Sequence, residues 1–287
     1  MKFKIITDST ANLQTDFCKQ HDVSVVTLYY LINGEAHPAY KTDEPQLLKS
    51  FYQTIKNKPK LSTSCANQEQ YYDEFVKSAR EGISVLYIGF SSGVSASFSA
   101  AVMAKEAVLG EYPNAQIFCA DTLTGSYGQG YFVEQAVRMR DEGKDVSEVY
   151  DYIINERRRL KTYVTVDDLY YLHQGGRIPT ILYKLGSLIK IKPIIKVNEE
   201  GSLTSVGKVI SRKQSLNHLV GVIKDEIDDA ESSTVYIAHA DCEEDAILLA
   251  DKIKKFGVKE VKVGLLEAVI GSHTGIGGVA VFFLSKQ

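Results

Sequence analysis

The feature that most constrains the fold of this chain is the regular alternation of short apolar runs with longer segments of helical periodicity. Strands are predicted by four runs rich in β-branched and aromatic residues: "FKIIT", "VSVVTLYYLI", "VLYIGF" and "QIFCA". Helical periodicity predicts helices near residues 44–57, 68–81, 95–109 and 126–141. Strands that alternate with helices in this way are typical of a parallel α/β sheet.

The second half of the chain repeats this α/β character. A helix predicted near 146–160 is followed by the strand-like run "TYVTV", so we place a domain boundary there. The prediction is an N-terminal α/β domain over residues 1–160 with a mainly parallel sheet, and a C-terminal α/β domain over 161–287 with a mixed sheet and a hairpin in its middle. An alternative is that the domains interleave, with a strand from one half completing the sheet of the other.

Composition excludes some classes of partner. The chain has 287 residues, of which 44% are hydrophobic, enough for one large or two medium domains. Its net charge is −3 and its isoelectric point about 6.1. The chain therefore lacks the surplus of basic residues that would indicate nucleic acid or an anionic membrane surface as a partner.

Cysteine usage and hydropathy indicate the compartment. The four cysteines lack C-x-x-C or zinc-like spacing and are interpreted as reduced thiols, so we expect no metal site: Cys18, Cys65, Cys119 and Cys242. The chain starts directly in a predicted strand, and no stretch approaches the roughly 18 apolar residues of a membrane span. A cytoplasmic location is expected.

Small hydroxyl residues cluster where predicted strands end and helices begin. They occur in four segments: "TDSTANL", "LSTSCAN", "GFSSGVSASFSAA" and "DTLTGSYGQG". One such cluster is an ordinary helix cap, but four of them predict a polar floor facing a cleft, because ligands of α/β sheets bind beyond the carboxyl ends of strands. Helix N-termini favour carboxylate, phosphate or sulfate. A nucleoside triphosphate is disfavoured, since the chain has no G-x-x-x-x-G-K-[ST] motif.

The run Gly89–Gly93 spells G-x-S-x-G, which makes Ser91 a candidate nucleophile. A triad would need downstream partners, for which the candidates are His239, His273, Asp121 and Asp241. However, the helical period starts near Ser95, which leaves Ser91 in a loop, and no HGGG-type oxyanion loop is present. These two features disfavour a serine hydrolase acting as an esterase, which is kept as the alternative function.

Six segments, taken together and in order, resemble the DegV family, whose members include the fatty acid-binding subunits of bacterial fatty acid kinase. They are "TDSTANL", "STSCAN", "SSGVSASFSAA", "DDLYYLHQGGRI", "LIKIKPII" and "GSHTGIG". The chain departs from the family pattern at Ala96 and Ser97, where many members have Gly-Thr, at Cys65 and Ala66, where Gln-Pro is common, and at Ile276, where Pro is usual. These departures bear on pocket shape and chain-length preference.

The resemblance implies a carrier rather than an enzyme. It implies two α/β domains with a ligand cleft between them, which binds one long-chain fatty acid and no cofactor. A separate fatty acid kinase would phosphorylate the presented carboxyl group with ATP, and the acyl phosphate would feed phospholipid synthesis. Contact with a membrane would be at most transient, to load the ligand.

The resemblance also implies roles for individual residues. Thr63, Ser95 and His273 would bind the fatty acid carboxylate, and Arg177 would contact the kinase. Supporting positions would be Ser64, Ala96, Gly271, Ser272 and Thr274. The alternative for Arg177 is a surface salt bridge. For the whole protein, a further alternative is a binding protein for another small anionic or apolar ligand.

Overall fold

The computed structural model describes residues 3–40, 47–57, 59–178 and 191–286. Its strands are β1 (Phe3–Asp8), β2 (Val23–Val26), β3 (Tyr29–Ile32), β4 (Glu35–Pro38), β5 (Leu61–Ser64), β6 (Ser84–Gly89), β7 (Ile117–Asp121), β8 (Leu160–Thr165), β9 (Lys192–Val197), β10 (Leu203–Val209), β11 (Thr234–His239), β12 (Glu260–Leu265) and β13 (Val279–Leu284). Its helices are α1 (Thr15–Gln20), α2 (Leu47–Ile55), α3 (Gln68–Arg80), α4 (Ser97–Glu111), α5 (Tyr127–Asp141), α6 (Val146–Glu156), α7 (Tyr170–Gln174), α8 (Arg212–Glu226), α9 (Glu243–Lys254) and α10 (Ala268–Thr274).

The first sheet is parallel and buried on both faces. Its strand order is β2-β1-β6-β7, and each neighbouring pair runs parallel. The neighbouring residues Ile5 and Ile6 of β1 are fully buried in two different apolar clusters, one on each face of the sheet. Burial on both faces explains why this strand reads as a continuous apolar run rather than as an alternating one.

The second sheet is mixed and has the order β10-β9-β8-β13-β11-β12. Only β11 and β12 pair in parallel among its described strands; the β9–β10 hairpin and the pairs around β8 and β13 are antiparallel. Val281 and Phe283 of β13 pack with α8 and α9, whereas Ala280 and Phe282 join a cluster formed largely by the first half of the chain. The predicted fold class, a parallel sheet followed by a mixed one, is confirmed.

A third, antiparallel sheet of order β4-β3-β5 was not predicted. The run "VSVVTLYYLI" was expected to form one strand, and this expectation is wrong: β2 belongs to the parallel sheet and β3 to the small one. The break follows from register, because Val26 pairs with Asp8 at the end of β1, beyond which no parallel partner continues. Thr63, expected on a connection, lies in β5 and pairs with Tyr30 of β3.

Two predicted helices have different limits in the structure. The helix expected over 146–160 ends at Glu156, because Leu160 is buried as the first residue of β8 and pairs with Leu284 of β13. The helix expected over 44–57 is α2, and residues 44–46 lie outside the described part of the chain. Among the helices that the structure describes, none is long and apolar enough to cross a membrane.

The strands of the three sheets come from two consecutive parts of the chain. All described strands of the parallel and small sheets precede residue 160, and all described strands of the six-stranded sheet come from residue 160 onward. The assignment of domains to residues 1–160 and 161–287 stays a prediction.

The loop after β6 contacts the β9–β10 turn and so links the two halves. Ser91 Oγ donates a hydrogen bond to Gly201 O at 2.8 Å, and Ser202 Oγ donates to Gly93 O at 3.1 Å. The backbones approach so closely that a Cβ at Gly93 would lie 2.5 Å from Glu200 O. Gly93 therefore permits a close contact between the two backbones, which a larger residue would force apart.

We expect Gly93→Ala to lower the free energy of unfolding by about 1–3 kcal/mol, because the added methyl overlaps backbone atoms that cannot rotate away. The matched control is Gly110→Ala in α4, where a Cβ meets nothing within 4 Å and the substitution should stabilise by roughly 0.5–1 kcal/mol. Urea unfolding of both variants measures the two effects. Equal changes in the two variants would contradict the contact described here.

Candidate ligand-binding site

A cavity of about 340 Å³ lies between the six-stranded sheet and the first half of the chain. Its walls are mainly apolar: Val164, Ile195 and Phe282 come from the sheet, and Phe90 and Ile270 lie among the residues that face them. A largely apolar cavity with a few polar groups is the usual form of a small-molecule site. Its size and lining suit a mainly apolar ligand.

The polar groups predicted from sequence meet in this cavity. Thr63 Oγ1 lies 2.9 Å from His273 Nε2, although 210 positions separate the two residues in the chain. Thr63 comes from β5 and His273 from the last turn of α10. Ser95 and Arg177 line the same cavity. The structure thus brings all four residues to one site, from four separate segments.

His273 is held as a neutral imidazole. Burial and, to a lesser extent, the positive charge of Arg177 lower the pKa of His273 to about 3. Its Nδ1 atom is buried and has no hydrogen-bond partner among the described residues. A Cβ at Gly175 would lie 2.0 Å from this Nδ1, so the glycine at the end of α7 makes room for the ring.

Ser95 precedes the helix that was predicted to start near it. The helix α4 begins at Ser97, and Ala96 before it offers no side-chain cap. Ser95 Oγ instead accepts a hydrogen bond from Ser97 N at 3.2 Å, which leaves its own proton available to donate. The unpaired N–H groups at the start of α4 add a partial positive charge, so an anion is favoured here.

Arg177 points toward the site rather than into solvent. Its Nε atom donates to Val94 O at 3.2 Å, and its Nη1 atom donates to Gly175 O. Partial burial lowers the pKa of the guanidinium from its ordinary value, although an arginine stays charged at neutral pH. Arg177 therefore links the loop after α7 with the segment before α4 and places a positive charge near His273.

The five supporting positions fall into two groups. Ser64, Ala96 and Thr274 line the cavity. Gly271 and Ser272 are not among the residues that line it. A Cβ at Gly271 would lie 2.6 Å from Tyr52 Oη, and Ser272 Oγ donates to Ala268 O within its own helix at 2.7 Å.

Ser91 has no histidine partner among the described residues. It is buried, and its hydroxyl donates to Gly201 O while accepting from Gly93 N at 3.1 Å. The candidate triad partners are engaged elsewhere: His273 Nε2 contacts Thr63, His239 Nδ1 accepts from Cys242 N, Asp121 accepts from Leu123 N, and Asp241 pairs with Lys56. The geometry is not that of a nucleophile elbow. Within the described ranges, no cluster of three or more His, Cys, Asp or Glu side chains could hold a metal ion.

Glu267 holds α10 in place and was missed by sequence reasoning. Its carboxylate accepts hydrogen bonds from Val269 N at 2.7 Å and Ile270 N at 2.6 Å, so it caps α10, the helix that carries His273 in its last turn. It is only 4% exposed, and burial raises its pKa to about 8, although these two hydrogen bonds oppose the shift. The available signal in the sequence was an acidic residue directly before a helix, a position that favours capping.

Comparisons with known proteins give a consistent result. The family model described as "Uncharacterised protein, DegV family" matches residues 2–286. A DegV domain-containing protein of Clostridium perfringens is 37% identical over 284 residues, which are 99% of this chain and 97% of the relative. The structure resembles that of a fatty acid binding DegV family protein from Streptococcus agalactiae, with a TM-score of 0.87, 27% identity and full coverage of both chains. It also resembles a Thermotoga maritima protein whose structure reveals fatty acid binding function, with a TM-score of 0.84, 25% identity and full coverage of both.

The raised pKa of Glu267 gives a pH prediction for stability. Folding raises this pKa from 4.5 to about 8, so the folded state holds a proton that the unfolded state lacks between these values. The contribution of this proton to the free energy of unfolding is fully present below pH 4.5 and is lost as the pH rises through about 8. We therefore expect the stability of Glu267→Gln relative to the wild type to increase from pH 6 to pH 9, by at most about 1.4 kcal/mol per pH unit.

Urea unfolding across this pH range measures the difference between the two proteins. The control is Glu69→Gln, the same substitution at an exposed position in the first turn of α3, which should not reproduce the trend. A constant difference between wild type and Glu267→Gln would contradict the prediction.

Proposed function

Because this chain belongs to the DegV family, we propose that it binds one long-chain fatty acid and presents the carboxyl group to a separate kinase. The kinase phosphorylates this group with ATP to form an acyl phosphate, which feeds phospholipid synthesis. The protein is then a carrier of the cytoplasm and not itself an enzyme. The fatty acid is its ligand, and it needs no cofactor.

The observation that carries the proposal is the Thr63–His273 pair at the polar end of an apolar cavity. A carboxylate accepts hydrogen bonds and needs donors, which the hydroxyls of Thr63 and Ser95 can provide. The positive charge of Arg177 adds attraction for an anion, whereas neutral His273 contributes at most one N–H. The two relatives of known structure named above are described as fatty acid binding proteins, which supports the same ligand class.

The two ends of such a ligand contribute unequally to the free energy of binding. Each buried methylene contributes about 0.8 kcal/mol, and each hydrogen bond to a charged carboxylate about 1.5–3 kcal/mol. A long acyl chain therefore supplies most of the affinity, and the polar end fixes the position of the carboxylate. This division suits a protein that holds a reactive group in place for another protein's chemistry.

A partner must supply the phosphoryl transfer in this proposal. The chain has no G-x-x-x-x-G-K-[ST] motif for a nucleotide. Arg177 is the residue that we propose to contact the kinase, because it lies on the loop after α7 and at the carboxylate end of the cavity. A guanidinium in that place can bind both a carboxylate and a phosphate.

The first test measures bound ligand. Native mass spectrometry of the purified protein should show about one long-chain fatty acid per chain, released by organic extraction. We expect Ser95→Ala and His273→Ala to weaken binding of added fatty acid roughly ten- to hundredfold, because each removes a polar contact to the carboxylate. The control is Ser99→Ala, the same change at an exposed position one helical turn after Ser95, which should bind normally.

Other results would identify the alternatives. A non-lipid molecule in the extract would indicate a binding protein for another small anionic or apolar ligand. Labelling of Ser91 by a fluorophosphonate, with ester turnover in the absence of a partner, would indicate a hydrolase. An empty protein that cannot be loaded with any fatty acid would overturn the proposal.

The second test reconstitutes the reaction. Loaded protein, ATP and the fatty acid kinase catalytic subunit should together form acyl phosphate, and omission of the kinase should abolish it. Arg177→Ala should reduce acyl phosphate formation at saturating fatty acid, whereas Arg138→Ala on the exposed side of α5 should not. Acyl phosphate formation without the kinase would contradict the carrier role.

A further inference from the structure

The sheet wall of the cavity has one polar side chain that the proposed function does not use. Thr162 of β8 lines the cavity, whereas the other cavity-lining residues in the strands of this sheet are apolar: Val164, Ile195, Val197, Leu203, Ala280 and Phe282. The strand β8 leads toward α7, and Gly175, directly after α7, packs on His273. Thr162 lies two residues before Val164 on β8, so these two cavity-lining residues are about 6.6 Å apart along the strand.

A second threonine meets Thr162 from the opposite wall. Thr124, on the connection between β7 and α5, also lines the cavity, and its Oγ1 atom lies 2.9 Å from Thr162 Oγ1. One hydroxyl proton is used within this pair. If Thr162 is the donor, the proton of Thr124 has only the 3.5 Å contact with Gly125 O as its described acceptor. The pair thus keeps hydrogen-bonding capacity that the described residues do not satisfy.

Ser126, two residues after Thr124, is a third hydroxyl residue that lines the cavity. It is 2% exposed, and its Oγ atom has no hydrogen-bond partner among the described residues. Its backbone is held at φ 52°, a left-handed conformation that costs energy for a residue other than glycine. A buried hydroxyl without a partner is unfavourable, and a ligand atom that pairs with it would remove that penalty.

We propose that the fatty acid bound here carries a hydroxyl group part-way along its chain, and that Thr124, Thr162 and Ser126 form the subsite for that hydroxyl. The inference rests on the proposed function, since it places a fatty acid carboxylate at Thr63, Ser95 and His273. A hydroxyl group both donates and accepts, so it can pair with the threonines where a plain methylene leaves them unsatisfied. Hydroxylated long-chain acids are therefore the ligand class, and the reaction that supplies this ligand hydrates or hydroxylates an acyl chain.

The experiment compares octadecanoic acid with a series of monohydroxylated octadecanoic acids in which the hydroxyl group moves along the chain. Displacement of a fluorescent fatty acid from the wild-type protein gives each affinity. We expect one or two neighbouring positional isomers to bind roughly three- to tenfold more tightly than the unsubstituted acid, as one net hydrogen bond would provide. The remaining isomers should bind more weakly, because their hydroxyl groups are buried against apolar walls.

Two valine substitutions test the assignment of residues. The double variant Thr124→Val, Thr162→Val should lose the preference and still bind octadecanoic acid at least as tightly as the wild type, which also shows that its cavity is intact. Thr165→Val is the control: it removes a buried hydroxyl from the same strand at a position that does not line the cavity, and it should keep the preference.

The outcomes separate the two proposals. Tight binding of octadecanoic acid with no isomer preferred would overturn the hydroxyl subsite and leave fatty acid binding supported. A preference that survives in the double variant would also overturn the subsite. Failure of the wild type to bind any acid in the series would overturn the proposed function itself, and the inference with it.

Discussion

The burial of one face of the six-stranded sheet is the constraint on which the site depends. Ala280 and Phe282 lie on a face that has to be covered, and they pack in a cluster with residues of the parallel sheet and of the small antiparallel sheet. Apolar burial favours this contact by about 25 cal/mol for each Å² removed from water. The cover is incomplete, and the space left between the two layers is the cavity. The ligand site is thus a consequence of how two halves of one chain pack.

The same packing sets the charge state of the site. Burial keeps His273 neutral, so that the ring acts as a hydrogen-bonding group beside Thr63 rather than as a cation. Arg177, which cannot lose its proton, is then the positive charge that the cavity-lining residues provide. The affinity for an anion that is held by one permanent charge and several hydroxyls depends little on the titration of a histidine near neutral pH. Glu267 fixes the helix that carries the ring, and burial raises its pKa to about 8.

Local elements were predictable where the chain carries a strong local signal. The helices predicted to start near residues 68, 95, 126 and 146 begin within two residues of those positions, and the capping residues Asn67 and Asp145 mark the first turns of two of them. The small antiparallel sheet was not predictable in the same way. Its strand β4 contains Pro38 and the exposed residues Glu35 and Ala36, and it is a strand only because β3 lies beside it. Pairing between distant segments leaves little trace in local periodicity.

By itself, the sequence determined the α/β class, the alternation of the main strands and helices, and the hydroxyl-rich segments at the strand ends, since each follows from local periodicity and turn chemistry. It also contained the motifs through which Thr63, Ser95 and His273 were chosen. Only the tertiary structure decided that Ser91 bonds to a backbone carbonyl, that Gly175 makes room for an imidazole, and that Thr124 meets Thr162 across the cavity. These contacts join residues tens to more than a hundred positions apart. They depend on how apolar faces pack, which no local stretch of sequence specifies.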